Sequence, residues 1–538
     1  MRQFLTLHHP RRAQCFYESK LWAKDTFYTL LARHAAERAD APALRDGRTQ
    51  LSFAELKLWV DGVAADLRNY GLVAGDRVSI WQSDRAETIV TFLACAREGF
   101  ACNPSLHRTY TAADIGRLLE QLSSNALVME PGFGAGDASL TDRELASIAS
   151  LRIVYTPESF PKPGKYGAPA NNDPDKIAYL AFTSGTTGSP KCVMHSDNTL
   201  LANARDLVRD WSVDEKAVLL TLSPLSHHIA WVAVAQWLLS GCLLVTDDAP
   251  AKMSRLDWIN ETGATYVMGV PTHAMDILRL QKSTGAKRLG AVKTFYMAGS
   301  AIPPSVADAF LAQGVKPQNV YGMTENSSHQ YTHPHDDAET IVSTCGRGGR
   351  AYEVAIFDPE DENRRLAPGE IGHIGGRGAA LMLGYFGDQA ATEKSFNRDG
   401  WFMSGDLGML LPDGSLRIEG RLKDLIIRGG HNIYPSHIEA LALRHPRVEK
   451  AACFPIADER LGDRACIAII GEVEAPELLD HLAAEGLSKY DMPEYFIALE
   501  ALPLTPSGKI LKRRLIEMVK LGELAPSSVR AGDGSSAQ

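Results

Sequence analysis

Residues 183–191 read Thr183-Ser184-Gly185-Thr186-Thr187-Gly188-Ser189-Pro190-Lys191. Five hydroxyls, two glycines and a lysine in nine residues are poor material for a core. They suit a loop around phosphate: small residues let backbone N–H groups approach, and hydroxyls and an ammonium add donors. A flexible polar turn seldom needs such a density of donors. The spacing of Gly185, Gly188 and Lys191 is not the G-x-x-x-x-G-K of the common P-loop. The apolar run 176–182 ahead of the loop reads as a strand that would hold it.

This loop resembles the signature of the adenylate-forming (AMP-binding) superfamily, which includes acyl-CoA synthetases, peptide-synthetase adenylation domains and luciferases. Further segments resemble that family in its order: Pro224-Leu225-Ser226-His227, Tyr321-Gly322-Met323-Thr324-Glu325, Trp401-Phe402-Met403-Ser404-Gly405-Asp406, Gly420-Arg421-Leu422-Lys423-Asp424 and Pro506-Ser507-Gly508-Lys509. One such match would say little; six in order are specific. Two positions depart from the pattern. Cys192 stands where the family usually has glycine, and Asp197 where a histidine is common, with His195 two residues away.

The chemistry implied by the resemblance is attack of a carboxylate on the α-phosphorus of ATP. It joins two anions, so cations and oriented donors are needed where charge develops. Lys509 is the expected decisive cation. Glu325 is a hard oxygen ligand suited to Mg²⁺, which takes one or two carboxylates beside phosphate oxygens. Thr324 would bond the α-phosphate. Asp406 can accept from both ribose hydroxyls, and Arg421 is expected at the ribose. Thr183 to Gly188 and Lys191, with Gly299, Ser300, Tyr321 and Gly322, complete the expected nucleotide site. His227 is expected to gate the carboxylate. Ile229, Trp231, Val270 and Ala298 would line the acyl pocket with it, as apolar walls do in such sites. Gly429, Gly430 and His431 read as a tight hairpin which the resemblance places on the coenzyme A path. Lys423 is the expected hinge.

Amino-acid-activating members carry an acidic residue early in the pocket segment, and His228-Ile229-Ala230-Trp231 offers none. The resemblance is strongest to bacterial medium-chain and cyclohexanecarboxylate-CoA ligases. The expected substrate is a medium-chain, alicyclic or aryl acid, with ATP and coenzyme A as co-substrates and Mg²⁺ as cofactor. Two rivals stand beside this reading: an adenylate ligase that loads a carrier protein, and a nucleotide-binding regulator without chemistry.

These residues need a scaffold of some size. A chain of 538 residues exceeds what one core usually organises. Helical and strand patterns alternate: 53–70, 87–97 and 113–122 read as helices, and 77–81 as a strand. That alternation predicts an α/β architecture with buried sheets. The stretch 229–246 is almost wholly apolar, long enough to span a membrane. With Gly241 as a helix stop, it reads better as a buried helix followed by a core strand. Residues 156–175 hold five prolines and read as a connector between lobes. A boundary near 420–424 precedes mixed short strands and helices. The expected division is an N-terminal AMP-binding domain over 1–422, a small mobile α+β lid over 423–525 and a flexible tail over 526–538.

The formal charge is −9, which argues against a nucleic-acid partner. None of the eight cysteines has C-x-x-C spacing, so they read as free thiols of a reducing compartment. Adjacent His227-His228 and the loop pair His333 and His335 make poor metal sites. The apolar stretch near the N-terminus is too short for a signal peptide. A cytoplasmic enzyme without a membrane span follows, with a homodimer compatible with the resemblance.

Overall fold

The computed structural model describes residues 10–183, 190–504 and 510–529. Short runs rich in Val, Leu, Ile and aromatics, lacking strict alternation, belong in sheets covered on both faces. Two such sheets form most of the N-terminal part. In the first, parallel strands run Lys316–Met323, Thr294–Ala298, Tyr266–Gly269, Val218–Thr221, Leu243–Thr246 and Pro42–Arg45. Antiparallel Ser327–Tyr331 and Gln50–Ser52 close its edges. The second runs Gly384–Tyr385, Lys191–Ser196, Ile177–Thr183, Ala101–Asn103, Arg77–Trp81, Ala126–Met129 and Ile153–Tyr155. Helices Phe27–Glu37, Phe53–Asn69, Ala86–Glu98, Asp197–Asp210 and His228–Ser240 share one apolar core with strands of both sheets.

Local signals set these boundaries. Ser52 caps the helix Phe53–Asn69 through a reciprocal bond with Glu55. The helix His228–Ser240 stops at Gly241, whose φ of 69° is left-handed, and Leu243–Thr246 follows as a strand. Of the two readings of 229–246, the buried helix and strand is the one observed. No helix among the described residues is long and apolar enough to cross a membrane.

One expectation about a connecting segment is corrected. Residues 156–175 do not bridge lobes. They join Ile153–Tyr155 to Ile177–Thr183, strands of the same sheet. Side chains of the helices beneath pin this strap: Trp59 Nε1 donates to the Pro161 carbonyl (2.8 Å) and Arg97 to the Ala168 carbonyl (2.7 Å). The described part of the expected tail is tied down too, since Ser527–Ser528 pairs with Tyr495–Ala498.

Beyond the second sheet lies an antiparallel sheet of Tyr352–Phe357, Gly372–Gly378, Phe402–Leu410 and Leu416–Arg421. A 3₁₀ turn, Leu422–Asp424, leads out of it. The C-terminal part follows, with strands Ile426–Arg428, His431–Ile433, Val448–Asp458, Gly462–Gly471 and Tyr495–Ala498 and helices Pro435–Ala442 and Ala475–Ala484. It has its own apolar core around Ile438, Ile467 and Leu478. The fold is thus a large layered α/β N-terminal part and a small α+β C-terminal part.

Candidate active site

The connections that follow adjacent parallel strands gather most of the expected site. Val218–Thr221 leads to Pro224–His227, Tyr266–Gly269 to Val270, Thr294–Ala298 to Gly299 and Ser300, and Lys316–Met323 to Thr324 and Glu325. Strands in parallel register deliver these residues to one edge, where open α/β sheets bind ligands. Gly299 has φ 96°, a conformation that favours glycine.

The phosphate-type loop is carried by a hairpin of the second sheet, with Thr183 paired to Lys191. Ser184, Gly185, Thr186, Thr187 and Gly188 lie outside the described residues, as does Lys509. Lys191 lies over the Tyr385 ring, 4.5 Å from its centre. The Tyr385 hydroxyl donates to Glu325 Oε1 at 2.9 Å. Lys191, Tyr385 and Glu325 therefore form one connected set at the base of the loop. Burial pushes the Glu325 carboxyl up; the Tyr385 bond and the Lys191 charge pull it back. Sequence reasoning missed Tyr385. The strand Gly384–Tyr385 adds to the edge of Lys191–Ser196, pairing Tyr385 with Val193.

The turn bearing Thr324 and Glu325 is tight. Ser327 has φ 56°, unusual for a residue with a Cβ, and a Cβ on Gly322 would stand 1.7 Å from the Ser327 carbonyl oxygen. The Asn326 side chain accepts from Met323 N at 3.0 Å, and Met382 N donates to the Glu325 carbonyl at 2.7 Å. His195 Nε2 meets the Thr324 carbonyl at 2.6 Å, and His228 Nε2 meets Ser327 Oγ at 3.0 Å. Neither contact was foreseen in the sequence.

The two departures from the family pattern are accommodated. Asp197 is fully buried at the start of a helix, pairs with Lys176 Nζ at 2.5 Å and accepts from Phe27 N at 2.7 Å. Cys192 is buried in its strand, and burial raises its thiol pKa.

On the neighbouring sheet, Asp406 and Arg421 are paired residues, with Arg421 Nε 3.5 Å from Asp406 Oδ1. The Tyr321 hydroxyl donates to Asp406 Oδ2 at 2.8 Å. Three expected nucleotide residues thus meet across two sheets.

At the expected acyl side, His227 begins the helix His228–Ser240 and stacks on His107, with rings 4.4 Å apart. Burial, then the His227 charge, lowers the His107 pKa to about 3. Trp231 points into the core against Phe92, with its Nε1 on the Leu225 carbonyl at 2.7 Å. It supports the loop before His227, while Ile229 is only partly buried.

In the C-terminal part, Gly429 and Gly430 form the two-residue turn between Ile426–Arg428 and His431–Ile433, with φ of 58° and 84°. Both positive values are what a type I′ hairpin needs. His431 is exposed at its edge, 2.7 Å from Asp491 Oδ1. Lys423 sits within the 3₁₀ turn; burial, then Arg421, lowers its pKa.

Comparison with known proteins agrees with this arrangement. A family model described as AMP-binding enzyme matches residues 31–386, and one described as AMP-binding enzyme C-terminal domain matches 437–509. The chain is 28% identical to the medium-chain fatty-acid–CoA ligase of Escherichia coli (strain K12), over 95% of this chain and 93% of that one. It is also 28% identical to the 2,3-dihydroxybenzoate-AMP ligase of Bacillus subtilis (strain 168), over 94% and 96%. The crystal structure of ATP bound MatB from Rhodopseudomonas palustris superposes with a TM-score of 0.81 at 26% identity, covering 92% of this chain and 99% of that chain. With the matching models covering most of its length, the chain belongs to the AMP-binding enzyme family of adenylate-forming ligases.

Proposed function

We propose that this enzyme is an ATP-dependent acyl-CoA ligase acting on a medium-chain, alicyclic or aryl carboxylic acid. The observation that carries the reading is the meeting of Lys191, Tyr385 and Glu325 beside Thr324, with Tyr321 joined to Asp406 and Arg421 of the neighbouring sheet. In the first half-reaction a carboxylate oxygen attacks the α-phosphorus of ATP, and pyrophosphate leaves. Thr324 holds the α-phosphate, and the loop 183–191 cradles the outer phosphates. Asp406 and Arg421 take the ribose, and Gly299 and Ser300 pass beside the adenine. Lys509 supplies positive charge where the two anions meet. In the second half-reaction the coenzyme A thiolate attacks the acyl carbonyl, and AMP leaves.

Mg²⁺ fits the donor set. Glu325 is a carboxylate with Oε1 anchored by Tyr385, and one carboxylate is enough for an ion that takes its other oxygens from ATP. The described residues hold no cluster of three or more His, Cys, Asp or Glu side chains that could hold a metal ion. When bound, Mg²⁺ neutralises phosphate charge.

His227 faces the carboxylate, and Ile229, Val270 and Ala298 form the apolar wall, with Trp231 as support. Residues 1–422 act as the nucleotide-binding domain and 423–525 as a lid that brings Gly429, Gly430 and His431 to the thiol path. The test is a carboxylic-acid panel assayed for acid-dependent AMP and for thioester with free coenzyme A. Medium-chain or ring acids should give the highest specificity constants. Acetate or an amino acid as the best substrate would overturn the pocket reading. The B. subtilis relative, named for its AMP ligase activity alone, favours a second reading in which a carrier protein takes the acyl group. AMP formation without any thioester from free coenzyme A would support it.

A further inference from the structure

The Thr324–Ser327 turn does not hold its shape alone. It contains a left-handed Ser327, and its carbonyl at Ser327 lies where any Gly322 side chain would go. Such a backbone persists only when its surroundings fix it. Two imidazoles grip its ends: His195 Nε2 on the Thr324 carbonyl (2.6 Å) and His228 Nε2 on Ser327 Oγ (3.0 Å).

The hydrogen-bond chemistry at His195 is directional. A carbonyl oxygen only accepts, so Nε2 carries the hydrogen. Nδ1 meets Thr199 Oγ1 at 2.9 Å, and Thr199 Oγ1 accepts from Ser196 N at 3.0 Å. The chain of bonds thus runs from the start of the helix Asp197–Asp210, which follows the loop hairpin, to Thr324. His195 itself has no exposed surface. The two rings stack, with centres 5.5 Å apart and planes 28° from parallel. Burial, then the neighbouring His195, holds the His228 pKa below its usual value. His228 is also the first residue of the helix that follows His227.

We propose that His195 and His228 are positioning residues that form an imidazole clamp, fixing the turn that carries Thr324 and Glu325 and tying it to the helix whose start meets the acid. The proposal rests on the adenylating role given above to Thr324 and Glu325. Its consequence is coupling: a shift at His227 on acid binding reaches the nucleotide turn through His228 and Ser327. No ligand need span the two subsites.

The test compares His195→Gln, which keeps an N–H donor near the Nε2 position, with His195→Met, which fills the volume without one. Amide hydrogen exchange is read first, because it needs no turnover. Residues 323–328 should exchange about tenfold faster in the Met variant, the usual size of one lost supporting bond. The Gln variant should stay within about threefold of the parent. Turnover is read next, with the best acid of the panel. The Met variant should lose about tenfold or more in kcat for pyrophosphate release, as misplaced reacting groups do. Its KM for MgATP should change little, and Gln should restore most of the rate. At the other end, His228→Leu and Ser327→Ala remove the two partners of one bond, so each should slow adenylation and the double variant should add little.

Unchanged exchange in 323–328 in both His195→Met and His228→Leu would overturn the clamp. So would equal impairment in His195→Gln and His195→Met, or full additivity between the His228 and Ser327 changes. A parent enzyme that adenylates no acid, yet shows the expected exchange pattern, would sink the functional reading and leave the clamp standing.

Discussion

At the scale of single residues, the Tyr385 hydroxyl holds Glu325 and the His195 imidazole holds the Thr324 carbonyl. Tyr385 was invisible in the sequence because 60 positions separate it from Glu325 and no spacing rule links them. Only the addition of Gly384–Tyr385 to a sheet edge brings them together. Tyr385→Phe should keep the ring beneath Lys191 while losing the bond to Glu325. We expect adenylation to slow by about tenfold, the usual cost of removing a partner that orients a ligand group, and the requirement for MgATP to rise. Native steady-state constants in that variant would show that the hydroxyl does nothing there. A second residue, His329, contributes to the loss of stability in acid. Both His329 ring nitrogens are buried without a described partner, and the ring lies 4.3 Å from Tyr352. Burial lowers its pKa to about 3. The unfolded chain takes up this proton near pH 6.5, and the fold refuses it until about pH 3. Stability is therefore present above pH 6.5 and lost at about 1.4 kcal/mol per unit as pH falls below it. His329→Phe should remove that loss, so its stability relative to the parent should grow by about 2 kcal/mol between pH 8 and pH 5. Urea unfolding at both pH values measures this; an equal difference at the two would contradict it.

At the scale of elements, the sequence was most legible where punctuation is chemical. Gly241 marks a helix stop and Gly429-Gly430 a hairpin. The strap at 156–175 was misplaced because prolines announce an extended path but not the surface it follows. Trp231 reads as a pocket wall from its position next to His227. It faces the core because a helix turns successive side chains by about 100°, and its indole N–H finds the Leu225 carbonyl inside. The Gly322 turn was legible as a motif but not as a strained shape. Gly322→Ala sets a Cβ against backbone, which has little room to yield. We expect loss of adenylation and a clearly lower melting temperature. A variant with the native melting curve and native AMP formation would mean that the turn has room to spare.

At the scale of the whole molecule, the proposed function calls on the C-terminal part twice: Lys509 for the first half-reaction and the Gly429-Gly430 hairpin for the second. One arrangement does not serve both, and hinge closure about a few boundary residues is the usual solution. Lys423 lies in the 3₁₀ turn between the last strand of one part and the first strand of the next. Proline there fixes φ near −65°, within the range of a 3₁₀ turn. Lys423→Pro should keep acid-dependent AMP formation and lose most coenzyme A transfer; native rates for both would rule out Lys423 as the pivot. Lys509→Ala should slow adenylation by about a hundredfold, the value of one charge-stabilising donor, and spare thioester formation from supplied acyl-adenylate.

The central claim is that a carboxylate oxygen becomes bonded to the α-phosphorus of ATP. Its most direct test follows that oxygen. The acid is prepared with both carboxylate oxygens as ¹⁸O and incubated with ATP, Mg²⁺ and coenzyme A, and the products are weighed by mass spectrometry. The account predicts one ¹⁸O in each AMP, one in the thioester carbonyl and none in pyrophosphate. Label appearing in inorganic phosphate with ADP as the other product, or AMP released without label, would contradict it.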